Sequence, residues 1–143
     1  MKVENTTDWP FEKIAAYGEA VTAAMAKLVA RFPHQFTVES LYRDITEGRN
    51  QLWLITDDDG EFQAFVLTEI FTNTATGEKS VLLTEGAGEG GPEYLAESLP
   101  QFEEWAREQG ADSILPMARR GWERAIAKYG YKPEFVRFRK ELN

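Results

Sequence analysis

The sequence predicts a single α/β domain: a mixed sheet, antiparallel in its first half and parallel in its second, with helices on both faces. Three observations predict it. The chain has 143 residues, about one domain's worth, with 43% hydrophobic and 13% aromatic residues to build a core. Its first half alternates apolar and polar residues across an Asp-Gly turn, the pattern of a hairpin. Its second half alternates strand-like and helix-like stretches, the pattern of a β-α-β unit. Residues 1–143 are read as one domain, because no low-complexity linker or internal repeat divides them.

Residues 2–5 read as a short edge strand. Asp8 or Thr7 then offers a helix cap, and Pro10 suits a first turn, where its missing N–H is no loss. Ile14, Tyr17, Val21, Met25, Leu28 and Phe32 recur at helical spacing until Pro33. Thr37 caps a second helix carrying Val38, Leu41, Tyr42 and Ile45, stopped by Gly48. Gln51–Thr56 and Glu61–Thr72 form the hairpin about Asp57–Gly60, and Ser80–Thr84 begins a third strand. A glycine-rich stretch, Gly86 to Gly91, precedes a helix whose Leu95, Leu99, Phe102 and Ala106 share a face. Pro100 within that pattern demands a kink or a new helix. Ser113–Met117 is a strand, Arg119–Tyr129 a helix with Trp122, Ile126 and Tyr129 inward, and Lys132–Leu142 a closing strand.

Composition narrows the function. A net charge of −8 argues against nucleic acid held on a broad basic face and suits a cationic partner, although a solvated surface explains most of it. With no cysteine and one histidine, His34, neither a thiolate nucleophile nor a Cys/His metal centre is available, and no metal is expected. No apolar run is long enough to span a bilayer and residues 1–5 hold no signal core, so a cytoplasmic protein without a membrane role is expected. The run Asp57-Asp58-Asp59 reads as a solvated turn, His34 as a surface or capping residue, and Trp9, Trp53, Trp105 and Trp122 as core anchors.

Taken in order, Val3–Trp9, Glu103–Ala111, Ala125–Tyr131 and Phe138–Leu142 resemble the opening strand and helix, the post-loop helix, the late helix and the closing strand of the GNAT acyltransferase superfamily. The segment Met117–Trp122 with Tyr129-Gly130-Tyr131 is most similar to small GNAT-like proteins of tailed phages. The resemblance implies acetyl-CoA, or another acyl-CoA, as cofactor and a small or protein amine as acceptor. The family loop, Arg/Gln-x-x-Gly-x-Gly/Ala, aligns with Glu85-Gly86-Ala87-Gly88-Glu89-Gly90. Leu83, Thr84, Gly86, Ala87, Gly88, Glu89, Gly90 and Gly91 are thus the implied cofactor residues, with Leu83 or Thr84 supplying the N–H that polarises the thioester carbonyl.

This sequence departs from that pattern. Glu85 stands where Arg or Gln is usual, and Glu89 adds a second carboxylate, implying a weakened diphosphate site. The frequent acid tyrosine of the late helix is Ile126 here, and its frequent asparagine is Arg119. Tyr129 is the substitute candidate for the acid, with core packing its plainer role. Glu69, on the long hairpin strand, is the candidate base. Arg119 and Arg120 oppose a helix dipole, which marks them as a contact for a partner or an acidic ligand. Two functions follow. One is an N-acyltransferase acting on an amine. The other is a catalytically silent GNAT-fold module for phage structure or protein interaction, placed in the host cytoplasm or the virion.

Overall fold

The computed structural model describes residues 1–143. Five strands form one sheet in the order β1-β2-β3-β4-β5: β1 (Lys2–Asn5), β2 (Gln51–Thr56), β3 (Phe62–Thr72), β4 (Lys79–Gly88) and β5 (Ser113–Pro116). The first four are antiparallel and β5 runs parallel to β4. The mixed sheet expected from the sequence is therefore present.

Helices α1 (Phe11–Ala15), α2 (Gly18–Arg31) and α3 (Val38–Thr46) cover one face. Val21, Met25 and Leu28 of α2 and Leu41 of α3 pack there against Leu52, Leu54, Phe65 and Leu67. The first predicted helix is split, because the chain opens at Tyr17, whose hydroxyl donates to the Gly60 carbonyl at 3.1 Å and ties the break to the hairpin. Its cap is Pro10, not Asp8 or Thr7. Thr37 does cap α3: its Oγ1 accepts from Ser40 N at 3.0 Å while Ser40 Oγ accepts from Thr37 N at 2.9 Å.

On the other face lie α4 (Pro92–Ala96), α5 (Leu99–Glu108), the 3₁₀ turn Arg120–Trp122 and α6 (Glu123–Ala127). Pro100 sits in the first turn of α5 and so begins a new helix rather than kinking an old one. Trp53 packs edge-on to Phe102 and Trp105, with centroids 4.8 and 5.2 Å away. Its Nε1 donates to Thr68 Oγ1 at 2.9 Å, which donates to Gln51 at 2.9 Å, so the buried polar groups are satisfied. The acidic turn is satisfied too: Asp57 Oδ1 accepts from the N–H groups of Asp59 and Glu61 at 2.9 and 3.0 Å, and Gly60 takes the positive φ of +81°.

Three sequence expectations need correction. The predicted helix 119–129 is a 3₁₀ turn and one turn of α-helix, because Arg119 is extended (ψ 158°) and Gly130 turns back at φ +92°. The glycine-rich loop is largely strand, since β4 continues to Gly88. The closing strand 132–142 is extended chain that joins no strand; residues 131–143 make no backbone–backbone hydrogen bond.

Candidate functional site

The site is built where β4 leaves β5. Their parallel pairing ends at Leu83↔Pro116, with a last bond from Met117 N to Leu83 O at 2.9 Å. Beyond that point β4 runs on from Thr84 to Gly88 with β3 on one side and no strand on the other. A bulge interrupts the β3 register at the same place: Leu67 faces Glu85 and Thr68 faces Leu83, so Thr84 has no partner. A bulge re-aims side chains and takes backbone out of the ladder; here the residue left out is Thr84, while Leu83 stays in register with Thr68 and Pro116.

The extra residue of the bulge, Thr84, breaks the alternation of β4, so Leu83 and Glu85, two apart, point to opposite faces. Leu83 points to the α4–α6 face, where it packs with Ala96, Leu99 and Ala125. Glu85 points to the α2–α3 face, as do Leu67 and Glu69 of β3. There Gln35, Phe36, Asp44, Glu69, Thr84 and Glu85 line a polar cleft of about 290 Å³. Asp44 is already committed to Arg49, with Oδ1 2.6 Å from the guanidinium. Glu69 and Glu85 form no salt bridge and accept no hydrogen bond from any side chain or backbone group. Burial pushes the Glu85 carboxyl up to about 7, opposed in part by the positive charge of Arg137. An apolar cleft of about 310 Å³ lies elsewhere, between α1, α2 and β2, and holds none of the sequence-predicted site residues.

Tyr129 is not with Glu69. It is half-buried on the α4–α6 face, packed in the cluster that includes Leu83, so the sheet separates the two candidate catalytic residues. Tyr131 beside it donates to Glu103 Oε1 at 2.9 Å, and burial together with that carboxylate raises its hydroxyl pKa. Arg119 and Arg120 are exposed and make no ion pair, and they stand at the start of the 3₁₀ turn. His34 is exposed, 3.7 Å from Glu141 of the C-terminal segment.

The glycines divide by cause. A Cβ on Gly88 would collide with the Gln63 carbonyl oxygen and with Ala64 on β3, and one on Gly90 would meet the Tyr94 ring. Both are glycine because the protein itself fills the space. A Cβ on Gly86 would press on the Phe65 carbonyl oxygen at 3.3 Å, whereas Gly91 has no neighbour within 4 Å. Glu89 N–H is bound to Gln63 O at 2.7 Å, and its side chain lies out in solvent 3.6 Å from Lys27 of α2. Helix α4 has only five residues, so it brings little dipole to an anion at its start. From Thr84 to Gly88 the edge of β4 away from β3 has no strand neighbour. The turn after it offers the diphosphate little.

Sequence reasoning placed Glu85 in a cofactor loop as a repulsive charge. The structure makes it a strand residue of the cleft instead. Period-2 alternation from Leu83 would set Glu85 on the opposite face; the bulge at Thr84 turns it into the cleft, and the sequence carries no signal for that bulge.

No family model matches the chain and no curated protein does. Solved structures do. The chain is similar to a probable acetyltransferase at a TM-score of 0.72 and 12% identity, covering 100% of this chain and 99% of that one. It is similar to glucosamine-6-phosphate N-acetyltransferase from Arabidopsis thaliana at 0.69 and 10%, covering 99% and 98%. A GNAT family acetyltransferase from Staphylococcus aureus subsp. aureus USA300_TCH1516 matches at 0.65 and 9%, again over 99% and 98%. At such identities the likeness is one of architecture, and the fold of this chain is the GNAT fold.

Proposed function

We propose that this protein transfers an acyl group from a thioester donor to a small primary amine bound in the Glu69–Glu85 cleft. One observation carries the reading: Glu85 is a half-buried carboxyl without a partner, poised near neutrality, beside the point where β4 and β5 separate. A general base works best when its pKa lies near the working pH.

The donor supplies an activated acyl carbonyl, and the residues of the chain do the rest. The N–H of Leu83 or of Thr84 polarises that carbonyl. As the amine nitrogen bonds to the carbonyl carbon Glu85 takes the proton that it loses, the carbon–sulfur bond breaks, and the thiolate leaves with a proton drawn from Glu85 or solvent to give the free thiol. Glu69, free and on the same face, holds the ammonium form of the acceptor on arrival. The cleft of about 290 Å³ suits an acceptor of a few carbons.

Release of free thiol from acetyl-CoA or acetylpantetheine, followed against a panel of mono- and diamines, tests this. Turnover that Glu85→Gln removes supports it. No thiol release with any amine, together with no binding of either donor, sinks it. The second reading, a silent interaction module, is favoured by the exposed apolar C-terminal segment and would stand in that case.

A further inference from the structure

Charge is divided unevenly along the chain. Of its 16 cations and 24 anions, 8 and 21 precede Met117, a net of −13. Residues 117–143 hold the remaining 8 and 3, a net of +5. A reversal of sign this large marks a face for an acidic partner. Its helical part is the 3₁₀ turn with α6. Trp122 packs there with Ile55, Ala64 and Leu95, and Ala125 is buried with Ala96 and Leu99. Arg120, Arg124 and Lys128 follow at steps of four, so they form a row on the outer side, roughly 12 Å long. Arg119, Arg120 and Arg124 are exposed and enter no ion pair, while Lys128 meets Glu93 at 3.4 Å. Glu123 is the one carboxylate within the row.

The row stands beside the split between β4 and β5. Met117 N makes the last bond to Leu83 O, and Arg119 lies two residues on, at most about 7 Å of extended chain. Nothing comparable serves a nucleotide. The space at Gly88 and Gly90 is filled by the protein, Glu89 adds a carboxylate, and α4 is a single turn. A donor held weakly through its own phosphates gains most from being delivered by a body that docks elsewhere, because docking raises the local concentration of whatever it carries. We propose, on the reading of acyl transfer above, that the donor arrives on the flexible arm of a small acidic carrier protein docked on Arg119, Arg120 and Arg124. The amine nitrogen bonds to the acyl carbon and gives its proton to Glu85. The carbon–sulfur bond breaks, and the carrier's arm takes a proton from Glu85 or solvent and leaves as the free thiol.

Charge favours a compact acidic protein as the occupant. The acidic body repels such a partner everywhere but at this face, so the same field that attracts it also orients it. Carboxylates repeated at one helical turn match the spacing of the row. A long polyanion such as RNA would run off the row onto the acidic body and meet repulsion there.

The probe is an acidic acyl carrier protein charged with acetate on its phosphopantetheine arm, with acetylpantetheine as the donor that lacks a carrier. Thiol release against the amine panel gives kcat/KM for each donor. The carrier-borne donor should exceed acetylpantetheine by about 10²- to 10⁴-fold. Raising salt from about 0.05 to about 0.5 M should lower the carrier's value by about 10- to 100-fold. Arg120→Glu with Arg124→Glu should do the same at low salt and leave acetylpantetheine turnover unchanged, since both residues are exposed and outside the cleft. Equal use of the two donors overturns the proposal and leaves the acyl-transfer reading standing. A preference for the carrier that ignores salt and the paired substitution also overturns it, because the docking face would lie elsewhere. So does a short RNA that the row binds more tightly than the carrier. No thiol from either donor removes the acyl-transfer reading itself, and this proposal with it.

Discussion

Glu85 decides the chemistry because its environment sets its charge. Burial raises it to about 7, so at neutral pH it is part acid and part base. Glu85→Gln should lower the turnover number by about 10²- to 10⁴-fold and remove the limb of the rate profile that rises through neutral pH. Glu69→Gln should act mainly on the Michaelis constant for a charged amine. The same group makes a statement about stability. Its folded pKa exceeds the ordinary value of 4.5, so between 4.5 and about 7 the folded state binds more protons than the unfolded one. Stability then falls as pH rises through that window, by on the order of 1–2 kcal/mol after solvent screening of a half-buried group. Urea melts from pH 4.5 to 8 should show the slope, and Glu85→Gln should flatten it. The sequence shows the residue type, but its glycine neighbours read as a loop, and the bulge at Thr84 that turns Glu85 into the cleft leaves no mark in the sequence.

Among elements, β4 carries most of the site, and its glycines are the instructive part. The spacing of Gly88 and Gly90 matched a diphosphate loop, yet each is explained by a neighbour inside the fold. Gly88→Ala should destabilise by about 1–3 kcal/mol as the β3 backbone is pushed aside. Gly91→Ala, with φ of −75° and open space around it, should stay within about 0.5 kcal/mol. Chemical denaturation compares the two directly. The shortness of α4 has its own consequence. A single helical turn gives an anion about 0.3–1 kcal/mol, so acetyl-CoA and acetylpantetheine should bind within about tenfold of each other by calorimetry. The antiparallel strands, α2, α3 and α5 were legible in the sequence because each has a clear apolar period and a turn or cap residue at its ends. The last strand was legible as a pattern only. A strand is completed by a partner's edge, and residues 132–142 meet none.

At the scale of the whole molecule the C-terminal segment reaches the site. Glu141 stands 3.7 Å from His34, which carries the segment over the helical face, and the charge of Arg137 holds the Glu85 carboxyl below the value that burial alone would impose. Residues far apart in the chain therefore set the charge of one group between them. Arg137→Gln keeps the segment and its covering of the cleft but removes the charge, so the carboxyl should titrate at higher pH and the rising limb of the rate profile should move to the alkaline side. Arg139→Gln, on the same segment, should leave the limb where it is. Rate profiles of the three chains measure this, and a limb that Arg137→Gln does not move would part the segment from the chemistry while leaving the role of Glu85 intact.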